Sequence, residues 1–262
     1  MSEERSTAPP GPSLVSHMLV PPLAALQFLT VVPPIVRRPF TPAEIGRAVG
    51  WFPLVGIALG GLLVGLEWAL SHLFPAHVCA VLVIASWVIV TGALHLDGLL
   101  DACDGLFGGH TPESRLHIMR DERVGAFGLA GGVLLLMLKV SALAIAARRG
   151  TALLLAPTLG RWGMALAVVG FPYARPEGLG RTMKDHACLW DAALATTLAL
   201  AVAWFAAGWL GLATTAGVGV ATWVMARFVL ARLPGLTGDT YGAICEVLEA
   251  LILLLFAAGT GV

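Results

Sequence analysis

VCAVLVIASWVIVTGALHLDGLLDACDGLFGG, residues 78–109, passes from an unbroken apolar run into three aspartates, Asp97, Asp101 and Asp104. Their i, i+4 and i+7 spacing puts all three carboxylates within one narrow arc of a helix face, at about 100° per residue. Three acids therefore gather where a helix leaves a membrane. So close together they repel one another, and they ionise together only if something positive is shared between them. A divalent cation is the simplest candidate. Oxygen-only ligands of this type suit Mg2+, which commonly binds one or two carboxylates plus substrate phosphates. Gly98, Gly105, Gly108 and Gly109 leave room for a bulky phosphate to approach the backbone. A merely solvated acidic helix end fits less well, because Leu96, Leu99, Leu100, Leu106 and Phe107 surround the acids.

Composition places this stretch in a membrane protein. The 262 residues are 58% hydrophobic and only 12% charged, with a mean hydropathy of +0.85. Soluble domains are usually about 25% charged, so roughly half the expected charge is missing. Apolar segments near 51–71, 78–96, 125–147, 151–170, 188–208, 212–231 and 241–258 each approach the roughly 20 residues that cross the hydrocarbon. The fold expected is all-α, a polytopic integral membrane helical bundle with about seven transmembrane helices. Ahead of it, Leu14 to Val32 is apolar but interrupted by Pro21-Pro22 and stopped by Pro33-Pro34. That predicts an N-terminal helix at the membrane surface, re-entrant, or packed against the bundle, entering at Leu23. Residues 1–13, MSEERSTAPPGPS, read as a disordered tail without the pattern of a cleaved signal peptide. Residues 14–262 read as one membrane-embedded catalytic domain.

Lys+Arg and Asp+Glu are both 16, which gives no hint of a nucleic-acid partner. Cys79, Cys103, Cys188 and Cys245 are scattered, so neither a disulfide framework nor a zinc site is expected. With seven spans, one side of the membrane receives the segment before 51 and the loops 97–124, 171–187 and 232–240, with most of the arginines. The positive-inside rule puts that side in the cytoplasm, against the dissent of Arg148-Arg149. Most acids fall on the same side. Polar chemistry collected on one face suits an enzyme or receptor for a cytosolic substrate better than a pore.

Three further stretches carry chemistry. In IMRDERVGAFG, 118–128, Asp121 could complete a second metal position while Arg120 and Arg123 bind phosphate oxygens; ordinary surface ion pairs are the alternative. ARPEGLGRTMKDH, 174–186, is a Gly-rich loop with Arg175, Arg181 and Lys184, either a phosphate cradle or a plain basic loop. In LTGDTYGAICEVLEA, 236–250, Asp239 and Glu246 share a helix face, and Asp239 also fits a helix cap. Glu246 and Glu249 lie about two turns or more into an apolar helix and need another explanation. Arg161, inside an apolar run, needs a partner in the bundle interior. Glu67 stands alone near the opposite face, and the histidines show no ligand spacing.

HLDGLLDACDGLF, IMRDERVGAFG, EGLG and LTGDTYGAICEVLE, with FLTVVPP near the start, closely resemble the cobalamin synthase family from about residue 26 onward. The family is described as adenosylcobinamide-GDP ribazoletransferase, an Mg2+-dependent integral membrane enzyme. The resemblance implies that adenosylcobinamide-GDP is joined to α-ribazole or its 5′-phosphate, with release of GMP. By the same likeness Asp97, Asp101 and Asp104 are catalytic and, with Asp121, hold Mg2+. Arg120, Arg161, Glu177, Asp239, Glu246 and Glu249 fall on the family's recurrent polar positions and, with Arg123 from the reading of 118–128, are expected to bind substrate. The implied partners are the corrinoid nucleotide, α-ribazole, membrane lipid, a second copy of the chain and other enzymes of cobalamin assembly. The implied place is the cell inner membrane, with the active-site loops cytoplasmic.

Three rivals are weaker. A CDP-alcohol phosphotransferase carries DGxxAR, whereas Asp104-Gly105 is followed by LFGG. A membrane prenyltransferase has Asp-rich motifs in two halves, and Asp97-x3-Asp101 imitates only one. A cation transporter would be supported by paired broken helices in matching halves, which the sequence lacks.

Overall fold

Helix boundaries follow the punctuation of the sequence. The structure, a computed structural model, describes residues 14–258, so the tail expected over 1–13 lies outside the described residues. The first helix, α1 (Leu14–Leu29), holds Pro21 and Pro22 inside it rather than starting after them. Its Ala24, Ala25 and Leu29 are buried against the bundle. Thr41 and Glu44 cap α2 (Pro42–Ala48) reciprocally, satisfying two orphan N–H groups, and a short 3-10 turn leads into α3 (Phe52–Ser71).

The stretch 78–109 departs from expectation. Instead of one span over 78–96 there are two helices, α4 (Ala76–Val90) and α5 (Leu94–Cys103), with a 91° bend between them. Gly92 and Ala93 both take left-handed backbone, φ +59° and +55°, which breaks the helical ladder. The acids therefore ride on a separate helix laid across the end of α4. One π-helical turn (Asp104–Gly108) follows α5, then α6 (Pro112–Ile118).

The remaining elements are α7 (Ala126–Ile145), α8 (Arg149–Gly170), α9 (Leu179–His186), α10 (Leu189–Leu230) and α11 (Gly238–Ala258). The 42 residues of α10 are two helices joined at Gly208, whose φ of 56° and ψ of −131° are not helical. A methyl group on Gly211 would overlap the carbonyl of Ala203. Residues eight apart in a continuous helix lie about 12 Å apart, so the chain reverses at Gly208 into a tight hairpin. The two spans expected at 188–208 and 212–231 are its arms.

Among the described residues five helices are long and apolar enough to cross a membrane, and the α4–α5 pair makes six. Counting both arms of α10 gives the seven apolar segments, and the chain is an all-α polytopic membrane bundle. At its centre is α8, nearly all buried, packed on α3, α10 and α11. Gly56 lies against Pro157 and Thr158, and Gly60 against Leu153 and Leu154, where any side chain would hold α3 and α8 apart. The hairpin instead exposes Trp204, Phe205, Trp209 and Trp223, side chains suited to lipid. All four cysteines are free.

Candidate active site

Two glycines bring α5 and α11 backbone to backbone. A side chain at Gly98 would lie 3.0 Å from the Asp239 carbonyl oxygen, and one at Gly242 would lie 3.0 Å from that of His95. This contact sets Asp97 and Asp101 of α5 beside Asp239 at the start of α11. Asp239 is not the cap of α11. Thr237 and Thr240 fill that role: the Thr240 N–H donates to the Thr237 hydroxyl (3.2 Å) and the Thr237 N–H to the Thr240 hydroxyl (2.8 Å). Asp239 is thereby left for Arg175, whose Nη2 donates to it at 2.5 Å.

Arg175 is held in place by its loop. The Leu236 N–H donates to the Pro172 carbonyl and the Ala174 N–H to the Leu236 carbonyl, both at 2.8 Å, tying 171–178 to the approach to α11. Asp97, Asp239, Arg175 and Glu177 line one cavity of about 280 Å3 with His95, Tyr173 and Tyr241. Asp101 is half-buried beside it, Asp97 is exposed, and Arg120 and Glu177 are exposed on the same loop face. The cleft thus holds more carboxylates than cations.

Asp104 does not share this arc. The backbone widens into the π turn at Asp104, and its buried carboxylate turns toward α7, accepting the N–H groups of Gly125 (2.7 Å) and Gly128 (2.8 Å). An acid there satisfies two of the orphan donors at the N-terminus of α7 and complements its dipole. Asp121 is paired with Arg123 (2.8 Å), which holds its carboxyl down at about 2. The Arg123 side chain is 88% exposed. With Asp104, these two line a separate shallow groove.

Arg161, Glu246 and Glu249 lie elsewhere again, inside the bundle. Arg161 Nη1 donates to Glu249 (2.9 Å) and to the Pro157 carbonyl (3.1 Å). Lys139 Nζ donates to Glu246 (2.5 Å) and Glu249 (2.6 Å) and sits 4.7 Å from the centre of the Trp87 ring. Arg161 and Glu249 are 0% exposed. Two cations and two anions balance, the condition under which charges survive in a low-dielectric interior. These side chains do not reach the cleft; they join α7, α8 and α11 behind it.

Lys139 belongs to none of the sequence motifs, although a lone lysine inside an apolar span is itself a signal of a buried partner. Arg175 was visible only as one basic residue among several. For Tyr173 and Tyr241 there was no signal, since only tertiary packing lines them on a cavity. Glu67, expected to stand alone, is 3.5 Å from Arg149, so the dissenting basic pair has an acid beside it.

Fold and site together define a class: a polytopic helical membrane protein with an acid-rich cleft among the loops at one end of its bundle. The chain belongs to the cobalamin-5-phosphate synthase family, which it matches over residues 21–257. It is 38% identical to the adenosylcobinamide-GDP ribazoletransferase of Roseiflexus sp. over 254 residues, 97% of this chain and 95% of that protein. Identity to the protein of the same name from Pseudomonas paraeruginosa is 41%, covering 90% of this chain and 96% of the relative. The corresponding protein of Desulforamulus reducens is 37% identical, with 90% and 95% covered. No solved structure matches the chain.

Proposed function

We propose that this protein is an adenosylcobinamide-GDP ribazoletransferase, joining its corrinoid substrate to α-ribazole or α-ribazole 5′-phosphate and releasing GMP. The observation that carries the reading, beside the family, is the cleft in which Asp97 and Asp239, with Asp101 beside them, gather around a single ion-paired arginine. A donor set of carboxylate oxygens, open to solvent and in excess over the cations near it, fits Mg2+. When bound, Mg2+ would neutralise the substrate diphosphate and the charge that builds on the departing phosphate.

Asp97 and Asp101 would hold the ion. Asp239 would join them once a substrate phosphate takes its place on Arg175. The remaining chemistry falls to the chain itself. A hydroxyl of α-ribazole attacks the phosphorus attached to cobinamide, a new P–O bond forms, and the P–O bond to GMP breaks. Asp97, the exposed acid of the pair, accepts the hydroxyl proton. Arg175 and Arg120 hold phosphate oxygens, an arrangement suited to the planar fork of arginine. Asp104 orients α7 beside the site instead of binding the ion, and the Lys139–Glu246–Glu249–Arg161 group holds α7, α8 and α11 in register behind it.

The cleft would face the cytoplasm, where its basic loops belong by the positive-inside rule, and the membrane would be the cell inner membrane. A deciding experiment incubates purified protein with adenosylcobinamide-GDP, α-ribazole and Mg2+, assaying GMP and the corrinoid product. EDTA should abolish both. Retention of normal, Mg2+-dependent GMP release in both Asp97→Asn and Asp101→Asn would show the site to be misassigned.

A further inference from the structure

The cavity that carries Asp97, Arg175, Glu177 and Asp239 is apolar and aromatic over most of its remaining lining. Phe28, Phe52, Met164, Val168 and Met183 line it. Tyr173 and Tyr241 stand beside each other with ring centroids 5.9 Å apart and planes 30° apart. Phe28 and Phe52 stack at 6.2 Å and 27°. Gly180 lies against Tyr173, where a side chain would come within 2.5 Å of its hydroxyl.

Tyr241 is 4% exposed and His95 is 3% exposed. The Tyr241 hydroxyl and His95 Nε2 are both buried and have no hydrogen-bond partner among the described residues. Buried polar atoms in folded proteins are nearly always bonded, so the Tyr241 hydroxyl on the cavity wall points to a ligand that satisfies it, whereas a His95 ring nitrogen lies within 4.8 Å of Cys245 and Glu249, which do not line the cavity.

We propose that this cavity takes the base of the nucleoside substrate, as a flat, largely apolar bicyclic ring with one free ring nitrogen. Resting on the transferase reading, this assigns the cavity to the α-ribazole base rather than to guanine. The ring lies against the aromatic walls, and the Tyr241 hydroxyl donates to its free nitrogen. Size and polarity both select this ligand. About 280 Å3 is just below the roughly 300–1,000 Å3 of pockets for drug-sized ligands, enough for a bicyclic base and too little for a corrin macrocycle. The edge of guanine carries a lactam and an amino group besides its ring nitrogens. With Asp97, Asp239 and Arg175 given to the ion and the phosphate, the Tyr241 hydroxyl on the aromatic side would leave several of these unbonded, a penalty that an apolar base avoids.

The test compares wild type with Tyr241→Phe, which removes only the hydroxyl, and Met183→Trp, which fills the cavity. Both should raise KM for α-ribazole, by about tenfold in Tyr241→Phe, with KM for adenosylcobinamide-GDP unchanged. Calorimetric titration of the same detergent-solubilised proteins with α-ribazole or with GMP should show only α-ribazole binding weakened. A rise in KM for adenosylcobinamide-GDP with weakened GMP binding would assign the cavity to guanine and overturn the proposal. So would unchanged constants for both substrates in both variants. If wild type releases no GMP, the transferase reading fails, while the α-ribazole titrations still decide what the cavity binds.

Discussion

Acids and bases meet twice along α11, with opposite outcomes. At its start, Asp239 shares a cleft with Asp97 and Glu177, with Asp101 beside it, and Arg175 is the cation paired there. Seven residues on, about 10 Å deeper, Glu246 and Glu249 meet Lys139 and Arg161 with charges equal and no exposed surface on Glu249 or Arg161. An open cleft with surplus carboxylates can accept a cation and a phosphate. A closed group with balanced charge ties α7, α8 and α11 together, with Arg161 Nε and Nη2 left without partners among the described residues. Sequence alone grouped Arg161, Glu246 and Glu249 with the substrate-binding residues, because a charge in an apolar helix announces that it has a partner without saying which.

The comparison breaks most sharply at Lys139. Lys139→Met leaves two buried carboxylates facing one arginine and should destabilise the protein by about 3–5 kcal/mol, read as a lower unfolding midpoint in detergent. Adding Glu246→Gln restores the balance and should recover much of that loss. Strict additivity of the two changes would mean the group is not a coupled unit.

In the cleft the same kind of change should act on rate instead. Asp97→Asn should lower GMP release by about 10²–10³-fold with the unfolding midpoint unchanged, the size of a lost contact to developing charge. A drop in midpoint matching that of Lys139→Met would erase the distinction between the regions.

Asp104 sharpens the boundary. As the cap of α7 it should cost about 1–2 kcal/mol when changed to Ala, most of it recovered in Asp104→Asn. If Asp104→Asn instead abolishes activity in a fully stable protein, Asp104 belongs to the ion-binding set. The smallest expected effect is at the bend that separates α5 from α4. Gly92→Ala adds a side chain at φ +59° and should cost roughly 1 kcal/mol, the low end of the left-handed penalty, again read from the unfolding midpoint.

Much of the fold was legible. The apolar segments, the reversal near 208–212 and the gathering of polar loops on one side all follow from local composition. A helix that crosses a bilayer core satisfies its backbone groups internally and must be predominantly apolar. The break at Gly92 and Ala93 was hidden, because TGAL, 91–94, is apolar enough to continue a span and nothing local announces left-handed backbone at an alanine.

What the sequence by itself determined is therefore the class: a polytopic helical membrane protein, its acids collected in a few short motifs, its family carried by those motifs. Only the tertiary structure decided which acid answers to which base. Lys139 finds Glu246 across 107 residues, Arg161 finds Glu249 across 88 and Arg175 finds Asp239 across 64. Spacing along a helix fixes which residues share a face. Which faces meet depends on how whole helices cross and rotate, here on contacts as small as Gly98 against Asp239, and no local pattern encodes that.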